Sequence, residues 1–186
     1  MKNTLKTKLI AFSASGLMLG GQVNAQYRGV GDFEAGIGYM ENDQRAFGFL
    51  KANLITYQDT ANAHKLGLEY IGYDETVSSA LGTDILYTTL VVNYEFEHYI
   101  HPRFTVFVGG GGGGQFAQLD SNFGSLDDDI AGFAQVFAGI RGHLTPHLDV
   151  RLGVRRLFFD DFEFLGVSGI SQEQTWAFDL GFTLKF

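Results

Sequence analysis

Thr175 to Phe186 reads TWAFDLGFTLKF, and every second residue from Trp176 onward is large and apolar: Trp176, Phe178, Leu180, Phe182, Leu184 and Phe186. Between them stand Ala177, Asp179, Gly181, Thr183 and Lys185, all small or polar. Successive side chains of a β-strand leave opposite faces of the sheet, so a period of two marks a strand with one apolar and one polar face. Leu148, Val150, Leu152 and Val154 alternate in the same way with Asp149, Arg151, Gly153 and Arg155. So do Leu86, Thr88, Leu90, Val92, Tyr94 and Phe96 with Tyr87, Thr89, Val91, Asn93, Glu95 and Glu97.

Weaker alternation runs through 32–40 (Phe33, Ala35, Ile37, Tyr39 on the apolar face), 64–73 (Leu66, Leu68, Tyr70), 103–115 (Phe104, Val106, Val108) and 132–142 (Ala134, Val136, Ala138, Ile140). A further strand is expected over 46–57, where both faces are mixed. That makes eight segments, each near the ~10 residues that a tilted strand needs to cross a bilayer core. The connections alternate as well. Residues 58–63, 98–102 and 143–147 are short, whereas 74–84, 116–131 and 159–173 are long and polar, with 41–45 the short exception among the latter. Short turns at one end and long loops at the other are the pattern of transmembrane β-barrels. Aligning Pro102 with Pro146 superposes Phe104, Val106, Val108 and Gly109 on Leu148, Val150, Leu152 and Gly153. Both prolines then open a strand, where no ladder donor is lost.

The first 25 residues belong to a different class. Lys2, Lys6 and Lys8 precede an apolar stretch from Leu9 to Gly21, and Val23-Asn24-Ala25 is small at both key positions of a cleavage site. That is the design of a secretory signal peptide, with the cut expected after Ala25 and a single domain over 26–186. Past residue 25 the longest uncharged apolar stretch, Phe104 to Leu119, holds six consecutive glycines and is a poor helix former. Cleavage would remove three of the 13 basic residues and none of the 21 acidic ones, taking the net charge from −8 to −11. A chain so acidic is not built for nucleic acid. It contains no cysteine, so closure of the sheet rather than disulfides is expected to hold it together.

If the apolar faces look at lipid, the charged side chains look inward. The expected lumen set is Glu34, Lys51, Lys65, Glu69, Glu95, Glu97, Arg103, Arg141, Asp149, Arg151, Arg155, Asp179 and Lys185, seven cations and six anions. An eight-stranded barrel is just wide enough for side chains to fill, so these charges should pair into a network. Phe47, Phe49, Tyr87, Phe107, Phe133 and Phe137 should point inward too, with room left by glycines such as Gly36, Gly38, Gly109, Gly139 and Gly181.

Gly109, Gly111 and Gly114 satisfy GxGxxG trivially within the glycine run, with no convincing helix after it, so no cofactor is expected. His98, His101, His143 and His147 fall in two neighbouring turns; rim residues are the expectation, a metal site the alternative. The three long connections hold Asp74, Glu75, Asp84, Asp120, Asp127, Asp128, Asp129, Asp160, Asp161, Glu163 and Glu173 with no lysine or arginine. A solvated acidic surface is expected, since LDDD and DDFE lack the spaced ligands of a calcium loop; divalent cations bridging to lipopolysaccharide are the alternative. No serine lies near His64 in sequence, and no nucleophile–base pair is legible, so no enzyme is expected.

The terminal phenylalanine with apolar residues at every second position, the turn HLTPHLDVRLGV and the glycine-rich strands resemble the outer-membrane protein β-barrel domain family. Relatives in that family include the membrane domain of outer membrane protein A and the small adhesion and serum-resistance barrels. The resemblance implies an all-β, eight-stranded antiparallel barrel in the outer membrane, in contact with its lipid and lipopolysaccharide. It implies that Trp176, Phe178, Leu180, Phe182, Leu184 and Phe186 form the signal read by the outer-membrane assembly machinery. The expected role is non-enzymatic, in envelope integrity or surface interaction through the loops. A narrow pore or a lipid A-modifying enzyme are the alternatives. No wall-anchoring domain is expected after Phe186.

Overall fold

The computed structural model describes residues 29–42, 44–78, 83–120, 126–160, 162–164, 167–170 and 174–186; the expected leader and its cut after Ala25 lie outside them. Ten strands follow in chain order: β1 (Gly31–Met40), β2 (Arg45–Gln58), β3 (Asn62–Ser78), β4 (Thr83–His101), β5 (Phe104–Asp120), β6 (Leu126–His143), β7 (Leu148–Phe159), β8 (Phe162–Phe164), β9 (Val167–Ile170) and β10 (Thr175–Lys185). Eight of them close into one antiparallel barrel in the order β1-β10-β7-β6-β5-β4-β3-β2. β8 and β9 pair only with each other.

Each barrel strand hydrogen-bonds to its neighbours in sequence, and β10 returns to β1 through nine register pairs, from Asp32 with Lys185 to Met40 with Ala177. The seam is clasped at its end by Phe186, whose carbonyl accepts from Val30 N at 2.9 Å while its own N donates to Gly31 O at 3.1 Å. Within the closed barrel each of the eight strands thereby has a partner on both sides, which a lipid environment requires because it offers backbone groups no other partner.

The two faces of the wall differ as alternation dictates. Outward stand Phe33, Ile37, Tyr39, Leu54, Leu68, Val92, Tyr94, Val108, Leu152, Phe178, Phe182 and Leu184, all exposed. A continuous belt of such residues is far larger than a water-soluble surface tolerates and fits a bilayer interior. No helix among the described residues is long and apolar enough to cross a membrane; the crossing is made by strands.

Strand ends depart from expectation at one pole. Residues 74–84 and 116–131, expected as long loops, are largely strand: β3 runs on to Ser78, β4 starts at Thr83, β5 ends at Asp120 and β6 starts at Leu126. The β2–β3 ladder stops at Gly48 with Gly72, and β6–β7 at Phe133 with Phe159. The four strands β3–β6 therefore rise past their neighbours as a protruding sheet. Polar residues fill these extensions, because above the lipid level neither face need be apolar; the alternation that marks a strand is lost there. The 159–173 connection likewise carries β8 and β9.

Candidate functional site

The interior has three levels. At mid-height four cations meet four carboxylates. Lys51 Nζ donates to Glu95 at 2.5 Å, Arg141 Nη2 to Glu34 at 2.8 Å and Glu95 at 3.2 Å, and Arg151 Nη1 to Glu34. Arg155 joins Glu69 at 2.8 Å and Asp179 at 2.9 Å, and Asp179 also faces Arg151 Nε at 3.3 Å. All eight are buried. Asn93 and Gln135 tie the upper edge, each donating to Glu69 Oε2, at 2.7 and 2.6 Å.

Buried charge on this scale persists only where each group is paired, since desolvation otherwise costs several kcal/mol per ion. The chain supplies a second form of compensation. The Arg151 guanidinium lies 4.2 Å from the ring centre of Phe107 and 5.3 Å from that of Phe137; Arg155 lies 4.9 Å from Phe49, and Lys51 4.7 Å from Phe137. These inward rings stand opposite glycines: a Cβ on Gly109 would lie 2.5 Å from Phe137 Cζ, and one on Gly139 2.5 Å from Phe107 Cζ.

Below this, toward the short turns, Lys65 bridges Asp32 at 2.6 Å and Glu97 at 2.8 Å, Arg141 also reaches Glu97, and Lys185 meets Asp149 at 2.8 Å. His143 is buried here rather than standing on the rim. Its Nδ1 lies 2.9 Å from Asp149 Oδ1 and its Nε2 2.8 Å from Thr105 Oγ1, because β6 continues one residue further than expected and its parity aims residue 143 inward. Asp149, His143 and Thr105 thus form an acid–base–hydroxyl chain that sequence spacing did not reveal. Nucleophilic catalysis would need the hydroxyl within reach of a substrate. Thr105 is fully buried and Lys185 Nζ sits 3.1 Å from His143 Nδ1, so the chain is built into a polar floor of the lumen.

Above, toward the long connections, the lumen turns apolar: Met40, Phe47, Ile71, Tyr87, Phe133 and Leu157 are buried together, and Tyr73 stacks on Tyr87 at 4.8 Å between ring centres. Gln115 Nε2 donates to the Tyr73 hydroxyl.

Of the thirteen charged residues expected inside, Arg103 is exposed in the turn after β4, its carbonyl accepting from His143 N at 2.9 Å. Its parity matches that of the inward Thr105 and Phe107, but it lies in the turn before β5 begins, where alternation no longer sets direction. Lys185 is only partly buried, at the mouth. Asp32 is buried where none was expected; carrying β1 parity one step back from Glu34 finds it. The interior thus holds seven carboxylates and six lysine or arginine cations, the reverse of the expected balance. The assembly set Trp176, Phe178, Leu180, Phe182, Leu184 and Phe186 lines the outer face of the closing strand, all exposed.

His98, His101, His143 and His147 are not brought to one point: His98 faces Asn62, His101 accepts from Arg103 N, His143 points inward and His147 borders Lys185 O. Among the described residues no group of three or more metal-ligating side chains converges. Asp74 and Asp160 are exposed at the long-connection end; the side chains of the other acidic residues expected there lie outside the described ones. The glycine run stands in β5, paired on both sides, with no helix behind it.

No family model and no curated protein matches the chain. Solved structures do. Ail of Yersinia pestis, in a complex with the heparin analogue sucrose octasulfate, superposes with a TM-score of 0.57 at 13% identity, covering 84% of this chain and 99% of that one. Neisserial surface protein A gives 0.58 at 13%, covering 84% and 94%, and the N-terminal barrel domain of Pseudomonas aeruginosa OprF gives 0.56 at 14%, covering 84% and 96%. The shared fold is that of the small eight-stranded outer-membrane barrels.

Proposed function

We propose that this chain is a non-enzymatic outer-membrane barrel with a closed interior, contributing to envelope integrity or to surface interaction through its long connections. The observation that supports this most is the filling of the lumen: a paired charge network at mid-height, a polar floor around His143 and an aromatic plug above. Function then falls to the outer surfaces. The long connections carry eleven carboxylates and no lysine or arginine, so a cationic or neutral surface partner suits them. A sulfated polyanion such as the ligand in the Ail complex does not.

Planar-bilayer recording tests the reading. Wild-type protein is expected to give no steady conductance, whereas R151A/R155A leaves Asp179 without a cation and gives unstable, brief openings. Stable nanosiemens channels from the wild type would overturn the closed lumen in favour of a narrow pore. A mass shift in lipid A on overexpression would overturn the non-enzymatic part.

A further inference from the structure

Arg156 is the one lysine or arginine among the described residues that a barrel strand carries on its lipid-facing side. It stands on β7 in register with Val136 of β6 and Trp176 of β10, both exposed members of the apolar belt. Its guanidinium lies over the Trp176 indole at 5.0 Å, and its Nη2 donates to Gln174 Oε1 at 3.1 Å. No carboxylate among the described residues pairs with it.

The seat under this arginine is held from below. Glu41 N donates to Trp176 O at 2.8 Å, Asn42 Nδ2 to Gln174 O at 2.9 Å and Asn42 N to Thr175 Oγ1 at 3.2 Å, so the β1–β2 turn pins the start of β10. Indole and amide together hold the cation on the outer side of the wall.

Its height is given by the strands. Trp176 is the second residue of β10 and Arg156 lies three residues before the end of β7, both at the long-connection pole and at the upper margin of the belt. Interfacial tryptophans and snorkelling arginines sit at the level of lipid headgroups, where the anionic groups are phosphates. A guanidinium matches a phosphate with two parallel N–H bonds, which an ammonium cannot do.

We propose that Arg156, positioned by Trp176 and Gln174, binds a phosphate of lipid A in the external leaflet. The acidic long connections above would repel that same phosphate, so the barrel gains its hold on the leaflet at this point of the wall. The assignment rests on the long connections facing outward and is independent of whether the lumen is closed.

Native mass spectrometry of the refolded barrel, with bisphosphoryl lipid A, fully dephosphorylated lipid A and phosphatidylglycerol as probes, reads it directly. Wild type is expected to retain bisphosphoryl lipid A over the dephosphorylated form, R156A to lose about fivefold in that retention, and R156K to recover only part. W176F, which keeps a smaller ring, is expected to fall between. Equal mobility of heated and unheated gel samples relative to wild type identifies a variant that failed to fold, and Q174A then provides the second perturbation of the same seat. Retention unchanged in both R156A and Q174A overturns the proposal, and so does phosphatidylglycerol held as firmly as lipid A with the same dependence on Arg156.

Discussion

A Cβ on Gly36 would lie 2.5 Å from Cζ of Phe49, so β1 leaves a hollow that the neighbouring strand fills with a ring. G36A should therefore lower stability by about 1–3 kcal/mol, the usual cost of overpacking. Truncating the ring in the double variant G36A/F49L should return part of it. Urea unfolding in lipid vesicles measures both, and full additivity of the two changes would show that the ring and the glycine are not coupled.

Glu34 on β1 takes Arg141 and Arg151 together, with Thr183 Oγ1 donating at 3.1 Å. E34Q keeps the shape and removes the charge, stranding two guanidiniums in part. A loss of about 3–5 kcal/mol is expected from breaking such a buried pairing. A smaller loss in E34Q than in the surface-directed T56A would rule the network out as a determinant of stability.

Asp59 makes the turn between β2 and β3. Its Oδ1 accepts from Ala61 N and Asn62 N, both at 2.7 Å, and these bonds hold its carboxyl below the ordinary aspartate range. A depressed carboxylate contributes stability above its unfolded-state value and loses it as pH falls through the folded one. D59A should thus unfold at lower urea than wild type at neutral pH, and the gap should close as pH falls through the acid side of the aspartate range. A gap constant with pH would mean that the charge is not what the turn uses.

Deleting Phe186 removes an outward ring together with the clasp to Val30 and Gly31. F186L keeps the clasp, while F182D/F186D keeps it and puts charge in the belt. Deletion and the double aspartate should both lower assembled, heat-modifiable protein sharply while export of the precursor continues, with F186L close to wild type. Wild-type levels in the double aspartate would discount the apolar row of β10 as an assembly signal.

The strands were legible wherever lipid touches them, because lipid imposes an apolar residue at every second position; Leu148 to Arg155 could be read with no structure at all. That constraint ends at the membrane surface. Ser78, Asp120 and Leu126 belong to strands that nothing in their composition announces. Inward charges were legible as the remainder of the same alternation, which is why Arg151 and Arg155 were placed correctly and Arg103, one residue short of its strand, was not. Pairing was not legible: Glu34 could have faced any of the seven expected cations, and its choice of Arg141 and Arg151 depends on how the closed cylinder brings distant strands opposite. The Asp149–His143–Thr105 chain joins three consecutive strands, but residue 143 was expected in a turn rather than on the inward face of β6.

The seam between β1 and β10 sets an order of events. Seven of the eight strand pairings join neighbours in the chain and can form as hairpins, but the last joins its two ends, and Glu34 with its partners lies across that gap. Until the final strand is delivered the growing sheet keeps two raw edges, each a template for the wrong chain, and its carboxylates and guanidiniums stay in water. Drying the interior and shutting the cylinder are thus a single late act, slow because its contacts are the most distant in the chain, and a chain that stalls before it remains an open, sticky ribbon.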